Sequence, residues 1–239
     1  MTASTFLTAE WRKLAIANYA VDKDLLKDYL PVGTEIDIWG DTCYLSLVGF
    51  MFLNTRLKGF SVPCHTNFEE VNLRFYVRYF DKGLWKRGVV FIKEIVPRPA
   101  LTLVANRIYK ENYQTLPMAH RWLADANTLE VEYSWKTKDW NRFSVVAGAA
   151  AMPIADGSEE EFITEHYWGY AKINSSTTSQ YEVLHPKWET YQVKSYSIDV
   201  DFKAVYGDRF SFLSKETPKS VMLAEGSKIA VKAGTRIFA

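Results

Sequence analysis

Cysteine is nearly absent from this 239-residue chain: Cys43 and Cys64 are its only two, and they lack CxxC spacing. One such pair makes no disulfide framework and fits reduced thiols. Histidine is almost as scarce, with His65, His120, His166 and His185 far apart. Zinc ligands commonly include a close pair, and here the only near neighbours are the adjacent Cys64-His65 and Glu165-His166, whose side chains diverge on a strand. No metal and no cofactor are expected. Excess charge is missing too, since 29 Lys and Arg face 28 Asp and Glu. Without a basic surplus, nucleic acid and anionic membranes are poor partners. The longest weakly polar run, 144–155, is broken by Gly148 and Pro153 and falls short of the roughly 20 residues that span a bilayer. The first residues, MTASTFLTAEWRKLAIANYAVDKD, have no uninterrupted apolar stretch before a small-residue cleavage site, so a cytoplasmic protein without a secretory signal is expected. P-loop, GxSxG, GxGxxG and HExxH motifs are also missing.

What the chain does have is apolar and aromatic content: 48% hydrophobic residues, with 8 Trp, 14 Tyr and 14 Phe. That is ample for a packed core. No repeat or linker divides the sequence, so one domain over residues 1–239 is expected. The clearest strand is 68–80, where Val71, Leu73, Phe75, Val77 and Tyr79 share one face and Glu70, Asn72, Arg74, Tyr76 and Arg78 the other. Further β signals occur at 36–39 and 42–53 around Gly40-Asp41, then at 89–96, 129–137, 142–147, 168–173, 181–185, 191–198, 220–223 and 228–231. Helices are expected over 23–29 behind an Asp22 cap, from Pro99 to about Glu111, and behind a Ser158/Glu161 capping box. About ten strands with three short helices predict a mainly β (α+β) protein, an antiparallel barrel or sandwich with peripheral helices.

The ordered motifs LAIANYAVDKDLLKDYLPVGTEIDIWGDTCYLSLVGF, NFEEVNLRFYVRY, GVVFIKEIVPRPA, ANRIYKENYQTLPM, EHYWGYAK and YEVLHPKW resemble the uncharacterised bacterial YqjF-like family, itself similar in fold to acetoacetate decarboxylase. The resemblance runs from about Trp11 to Ile237 and implies an acetoacetate-decarboxylase-like closed antiparallel β-barrel around a cavity. The decarboxylase draws its Schiff-base lysine from a Pro-Lys-Lys run. The matching Leu116-Pro117-Met118-Ala119 keeps the proline and loses both lysines, and the decarboxylase's arginine would fall near Ala20, so that group is absent too. The resemblance therefore implies the barrel without the Schiff-base mechanism. Met118 takes the nucleophile's place as a ligand contact, because a thioether cannot form an imine.

A displaced lysine is conceivable in Lys93, set among Val89, Val90, Phe91, Ile92, Ile95 and Val96, although alternation leaves open whether Lys93 or Glu94 turns to solvent. If the polar face of 68–80 lines the cavity, Glu70 offers an acid or base, matching the decarboxylase's cavity glutamate. Arg74 and Arg78 would then grip a carboxylate beside Tyr76. The same face would equally suit solvent. Tyr109, Asn112, Tyr113 and His120 surround Pro117, either as ligand contacts with His120 a general base, or as backbone hydrogen-bonding groups. His166, Trp168 and Tyr170 share a face, as pocket wall or as core. Three functions compete: a small-molecule-binding barrel for an aromatic or oxo-carboxylate ligand; a lysine-independent lyase or hydrolase acting on a small oxo acid; and an interaction protein with exposed aromatics. The binding barrel is the preferred reading, its ligand unknown.

Overall fold

Alternating apolar and polar residues fold as strands over most of the chain, and in the computed structural model, which describes residues 4–108 and 110–238, these strands join in one sheet. Among the described residues they are β1 (Thr5–Ala20), β2 (Thr34–Ile36), β3 (Tyr44–Leu57), β4 (Phe60–Ser61), β5 (Phe68–Asp81), β6 (Leu84–Val96), β7 (Tyr113–Thr115) and β8 (Met118–Ala124). They continue as β9 (Thr128–Lys136), β10 (Trp140–Pro153), β11 (Trp168–Asn174), β12 (Thr177–Leu184), β13 (Glu189–Asp199), β14 (Ser220–Lys232) and β15 (Thr235–Phe238). Three α-helices, α1 (Pro99–Ile108), α2 (Glu159–Thr164) and α3 (Phe202–Tyr206), and two 3-10 helices, Lys23–Tyr29 and Asp208–Ser214, complete them. The protein is mainly β. No described helix is long and apolar enough to cross a membrane.

Neighbouring strands run β12–β11–β6–β5–β3–β1–β14, and β14 pairs with β12 again through Val183–Val231 and Leu184–Ala230, so the hydrogen-bonded path returns on itself. β13, β10, β9 and β8 extend from β14 as a second layer. Two apolar clusters follow from the alternation. Leu45, Leu47, Val71, Leu73, Phe75, Val90 and Ile92 pack against Tyr133, Trp135, Phe143 and Val145 of the second layer and Phe202 and Phe210 of the C-terminal helices. The opposite strand faces supply Tyr44, Val48, Phe50, Phe52, Phe68, Tyr76 and Val89, which pack with Phe162, Trp188 and Met222.

Several elements differ from the sequence expectation, each for a local reason. β1 escapes a periodicity test because its pairing with β3 shifts at Thr8/Glu10 and at Arg12/Ala15, which breaks the two-residue alternation. The expected strands 220–223 and 228–231 are one strand, bent at Gly226. Asp22 does cap 23–29, accepting from Asp24 N, but the turn is 3-10. Ser158 accepts from Glu161 N at 3.1 Å, while the Glu161 carboxylate reaches back to Gly157 N rather than to Ser158 N. α1 stops at Ile108, three residues short of Glu111, which leaves Glu111 free to turn toward the sheet. α3 and the turn after it are too short to show a helical period.

Gly226 has φ +78°, and a Cβ there would lie 2.1 Å from the Trp11 carbonyl oxygen. Gly226→Ala is expected to cost more than about 2 kcal/mol, because it combines a disfavoured dihedral with a backbone clash. Urea unfolding of the variant beside the wild type measures this, and an unchanged midpoint would refute it.

Candidate functional site

Inside the strand path lies a cavity of about 230 Å³. Its walls are apolar, with Trp11, Phe50, Phe52, Phe68, Val89 and Phe91 from β1, β3, β5 and β6, and α1 covers one side with Ala100, Leu101, Val104 and Ala105. One strand face supplies three of the polar groups within it. Glu70, Asn72 and Arg74 follow each other on β5 at two-residue spacing and all line the cavity. Asn72 donates to Glu70 Oε1 at 3.0 Å and the Tyr113 hydroxyl donates to Glu70 Oε2 at 3.1 Å.

β6 adds a second carboxyl by means of a bulge. Pairing with β5 is regular up to Arg74–Phe91 and resumes at Leu73–Lys93, so Ile92 is an extra residue. The slip changes the phase of the strand: Val89 and Phe91 face the cavity before it and Glu94 after it. Lys93 is turned to the opposite face, where its ammonium donates to the Val205 carbonyl. Glu111, just beyond α1, supplies a third carboxyl that hydrogen-bonds Glu94 and the Tyr181 hydroxyl. Tyr181 itself stacks close over Gly169, where a Cβ would come within 2.2 Å of its ring.

Removing water from these carboxyls dominates their acidity. Burial raises Glu70 to about 7, despite its bonds from Asn72 and Tyr113 and the nearby positive charge of Arg74. Burial, eased in part by Tyr181 and Glu94, leaves Glu111 at about 8, and burial together with the charges of Glu111 and Glu70 lifts Glu94 well above the usual carboxylate range. Near neutrality the cluster therefore holds protons. Arg74 is 7% exposed, and its Nε has no hydrogen-bond partner.

At another part of the wall His166 is fixed by charge and packing. Its Nε2 lies 3.2 Å from Asp37 Oδ2, which also accepts from Arg87 Nε at 2.6 Å. Burial would raise the Asp37 carboxyl, but His166 and Arg87 outweigh it and hold the group below its ordinary value. An ionised carboxylate only accepts, so Nε2 carries the hydrogen and Nδ1 presents a lone pair, for which no partner exists among the described residues. Burial lowers His166 to about 4, helped by Arg87 and Arg74 and opposed by Asp37, so the ring is neutral at physiological pH. Tyr76 and Phe162 hold it, with ring centroids 4.8 and 5.0 Å away.

The residues singled out from sequence divide clearly. Glu70, Arg74, Tyr113, His166 and Trp168 line the cavity. Tyr76 is buried beside it and bonds Ser46 Oγ at 2.8 Å, while Arg78, at the far end of the same face, lies against Trp85 and pairs with Glu35 at the surface. His120 belongs to the other face of the sheet, where Nδ1 meets Glu69 at 2.6 Å. Met118 packs with the second-layer cluster, and Tyr109 lies outside the described residues. Glu94 and Glu111 escape sequence reasoning: a lone Glu beside Lys93 gives no sign of the bulge, and Glu111 reads as the end of a helix. Asp37 carries no signal either. Among the described residues, no group of three or more potential ligands is spaced to hold a metal ion.

A family model for DUF2071, described as an uncharacterized conserved protein, matches residues 8–228. The chain is 28% identical over 180 residues to the uncharacterized protein YqjF of Bacillus subtilis (strain 168), covering 73% of this chain and 70% of that protein. It is similar in fold to acetoacetate decarboxylase from Legionella pneumophila, with TM-score 0.65, 13% identity and coverage of 99% of this chain and 89% of the other. It also resembles the enduracididine biosynthesis enzyme MppR complexed with pyruvate, with TM-score 0.68, 11% identity and coverage of 99% and 91%. At these identities the likeness to solved structures concerns the fold alone.

The proton-holding cluster has a measurable effect on stability. Between about pH 4.5, where unfolded glutamates ionise, and about pH 8, the native state binds more protons than the unfolded state. Stability then falls as pH rises, at up to about 1.4 kcal/mol per pH unit for each retained proton. Glu94→Gln and Glu111→Gln are each expected to flatten that slope and to stabilise the protein at pH 8. Urea unfolding from pH 5 to 9 tests this, and slopes identical to the wild type would refute it.

Proposed function

The chain belongs to the DUF2071 family, and from the cavity we propose that it binds a small organic acid, either an aromatic or an oxo-carboxylate, with the carboxylate on Arg74. The observation that carries this reading is the buried guanidinium of Arg74, which lines an apolar cavity and has an unpartnered Nε. An uncompensated buried charge is costly, and a planar carboxylate is the complement that guanidinium takes in paired hydrogen bonds. Phe50, Phe52, Phe68 and Phe91 suit the aromatic or apolar body of such an acid. No lysine is among the described residues lining the cavity, and Lys93 is engaged elsewhere, which supports a mode of action without an imine. The complex of MppR with pyruvate is a precedent for an oxo acid bound by a protein of this fold. The reading includes a closed barrel around the cavity, supported by the return pairing of β14 with β12, and one domain over residues 1–239, supported by the reach of the family match.

A second reading, a lysine-independent lyase or hydrolase, rests on Asp37 and His166. A neutral imidazole, oriented by a carboxylate and with a free lone pair, is the arrangement of a general base. In that reading Arg74 anchors the substrate and His166 replaces His120 as the base.

Phenylpyruvate, an aromatic oxo acid, is the probe for the first reading. Calorimetry is expected to show binding to the wild type and a loss of about 10- to 100-fold in Arg74→Met, the weight of a charge-assisted hydrogen-bonded pair. Equal affinity in both proteins, or none in either, would remove Arg74 as the anchor. For the second reading, His166→Gln is expected to abolish any turnover of the bound acid while leaving its affinity within a few-fold of wild type; retained turnover would exclude His166 as base.

A further inference from the structure

The cavity is lined by buried polar atoms without hydrogen-bond partners, donors and acceptors both. Arg74 Nε and Trp11 Nε1 are donors without acceptors. Asn72 Oδ1 and His166 Nδ1 are acceptors without donors, Thr55 Oγ1 and the carboxyl oxygens Glu94 Oε2 and Glu111 Oε1 are unpartnered as well, and Asn72 and Glu94 are 0% and 1% exposed. Buried polar groups in native proteins are nearly always paired, so a concentration of unpaired ones at a cavity is a partial negative image of what the cavity receives. A carboxylate satisfies the guanidinium and leaves Asn72 Oδ1 without a donor and the carboxyl cluster without a counter-charge. An ammonium, with three donors and no acceptor, satisfies Asn72 Oδ1 and the Glu94 and Glu111 oxygens together once one of the two carboxyls ionises.

We propose that the ligand is a zwitterion of the amino-acid class, with its carboxylate on Arg74 and its ammonium on the neighbouring acid pole formed by Asn72, Glu94 and Glu111. This rests on the reading of Arg74 as carboxylate anchor and adds the second charged group of the ligand.

Charge balance agrees with this assignment. Asp37 is matched by Arg87, so among the described lining residues the one Lys or Arg is Arg74, against three carboxyls, Glu70, Glu94 and Glu111, beside His65, Tyr113, Tyr181 and the neutral His166. A ligand that carries only a negative charge adds nothing to oppose the carboxyls, which keep their protons. A bound ammonium stabilises the ionised form of one of them, and the displaced proton leaves to the buffer. The bonds made are N–H···O contacts from ligand to carboxylate; the bond broken is one carboxyl O–H, whose proton passes to solvent. The hydroxyls of Tyr113 and Tyr181 then donate to the remaining oxygens of the cluster. The apolar walls leave room for an apolar or aromatic side chain rather than a second charge.

The test compares phenylpyruvate with phenylalanine, in both enantiomers, because the two molecules differ at one carbon, a carbonyl in one and a C–NH₃⁺ in the other. Calorimetry at pH 6 is run in two buffers of different ionisation enthalpy, which reads proton release directly. At least one enantiomer of phenylalanine is expected to bind about tenfold or more tightly than phenylpyruvate, the weight of charge-assisted hydrogen bonds to a carboxylate, and to release about one proton. In Glu94→Gln and in Glu111→Gln that advantage and the proton release are expected to fall, while phenylpyruvate binding persists. If phenylpyruvate binds through Arg74 but phenylalanine binds no tighter, or binds without proton release, the amine pole is overturned and the carboxylate anchor stands. If neither binds, both readings fall.

Discussion

Burial of ionisable groups is the constraint around which this protein is arranged. β5 and β6 bring Glu70 and Glu94 into a space walled by Phe50, Phe52, Phe68 and Phe91, and Glu111 joins them from the end of α1. In such surroundings a charge is expensive and a neutral carboxyl is tolerated, so the cluster holds protons at a pH where exposed glutamates do not. Arg74 cannot escape in the same way, because a guanidinium does not lose its proton. It lies over the Tyr76 ring and near Glu70, with its Nε unpartnered. A core optimised for stability would replace all four groups with apolar ones of similar volume.

The backbone devices that make this arrangement are small. One extra residue, Ile92, changes the phase of β6 and exchanges a lysine for a glutamate in the cavity. Gly169 leaves room for the ring of Tyr181, whose hydroxyl reaches Glu111. At the outer layer, the Tyr133 hydroxyl donates to the Lys13 carbonyl at 2.8 Å, where β1 bends at Lys13 with φ +55°. Ile92 and Tyr133 belong to the core as well, and these positions also set the placement of polar atoms. His166 is placed differently, by an ion pair at one nitrogen and by aromatic rings at its faces.

The fold shared with acetoacetate decarboxylase is kept at 13% sequence identity. The fold provides a strand path beside a cavity, and what such a cavity does depends on which side chains the strands turn toward it. Here the described lining includes three carboxyls, one arginine and an oriented histidine.

Alternation by itself determined that the chain is mainly β, that 68–80 is a strand with Glu70, Asn72 and Arg74 on one face, and that Asp22 and Ser158 begin helical turns. Those are local properties, decided by two-residue periodicity and by side chains that reach their own backbone. Ordered motifs over most of the chain also made the YqjF-like family legible. The sequence could not show that Glu94 rather than Lys93 enters the cavity, because a bulge shifts phase without leaving a residue signature. Nor could it join Asp37 to His166, 129 residues apart, or carry Glu111 to Glu94 and Tyr181. His120, a plausible base from its neighbours in sequence, proved to face Glu69 on the other side of the sheet. The scarcity of histidine and the balance of charge, both plain in the composition, acquire meaning only when the strands pack, because desolvation and hydrogen-bond pairing are properties of the enclosed space and not of the chain.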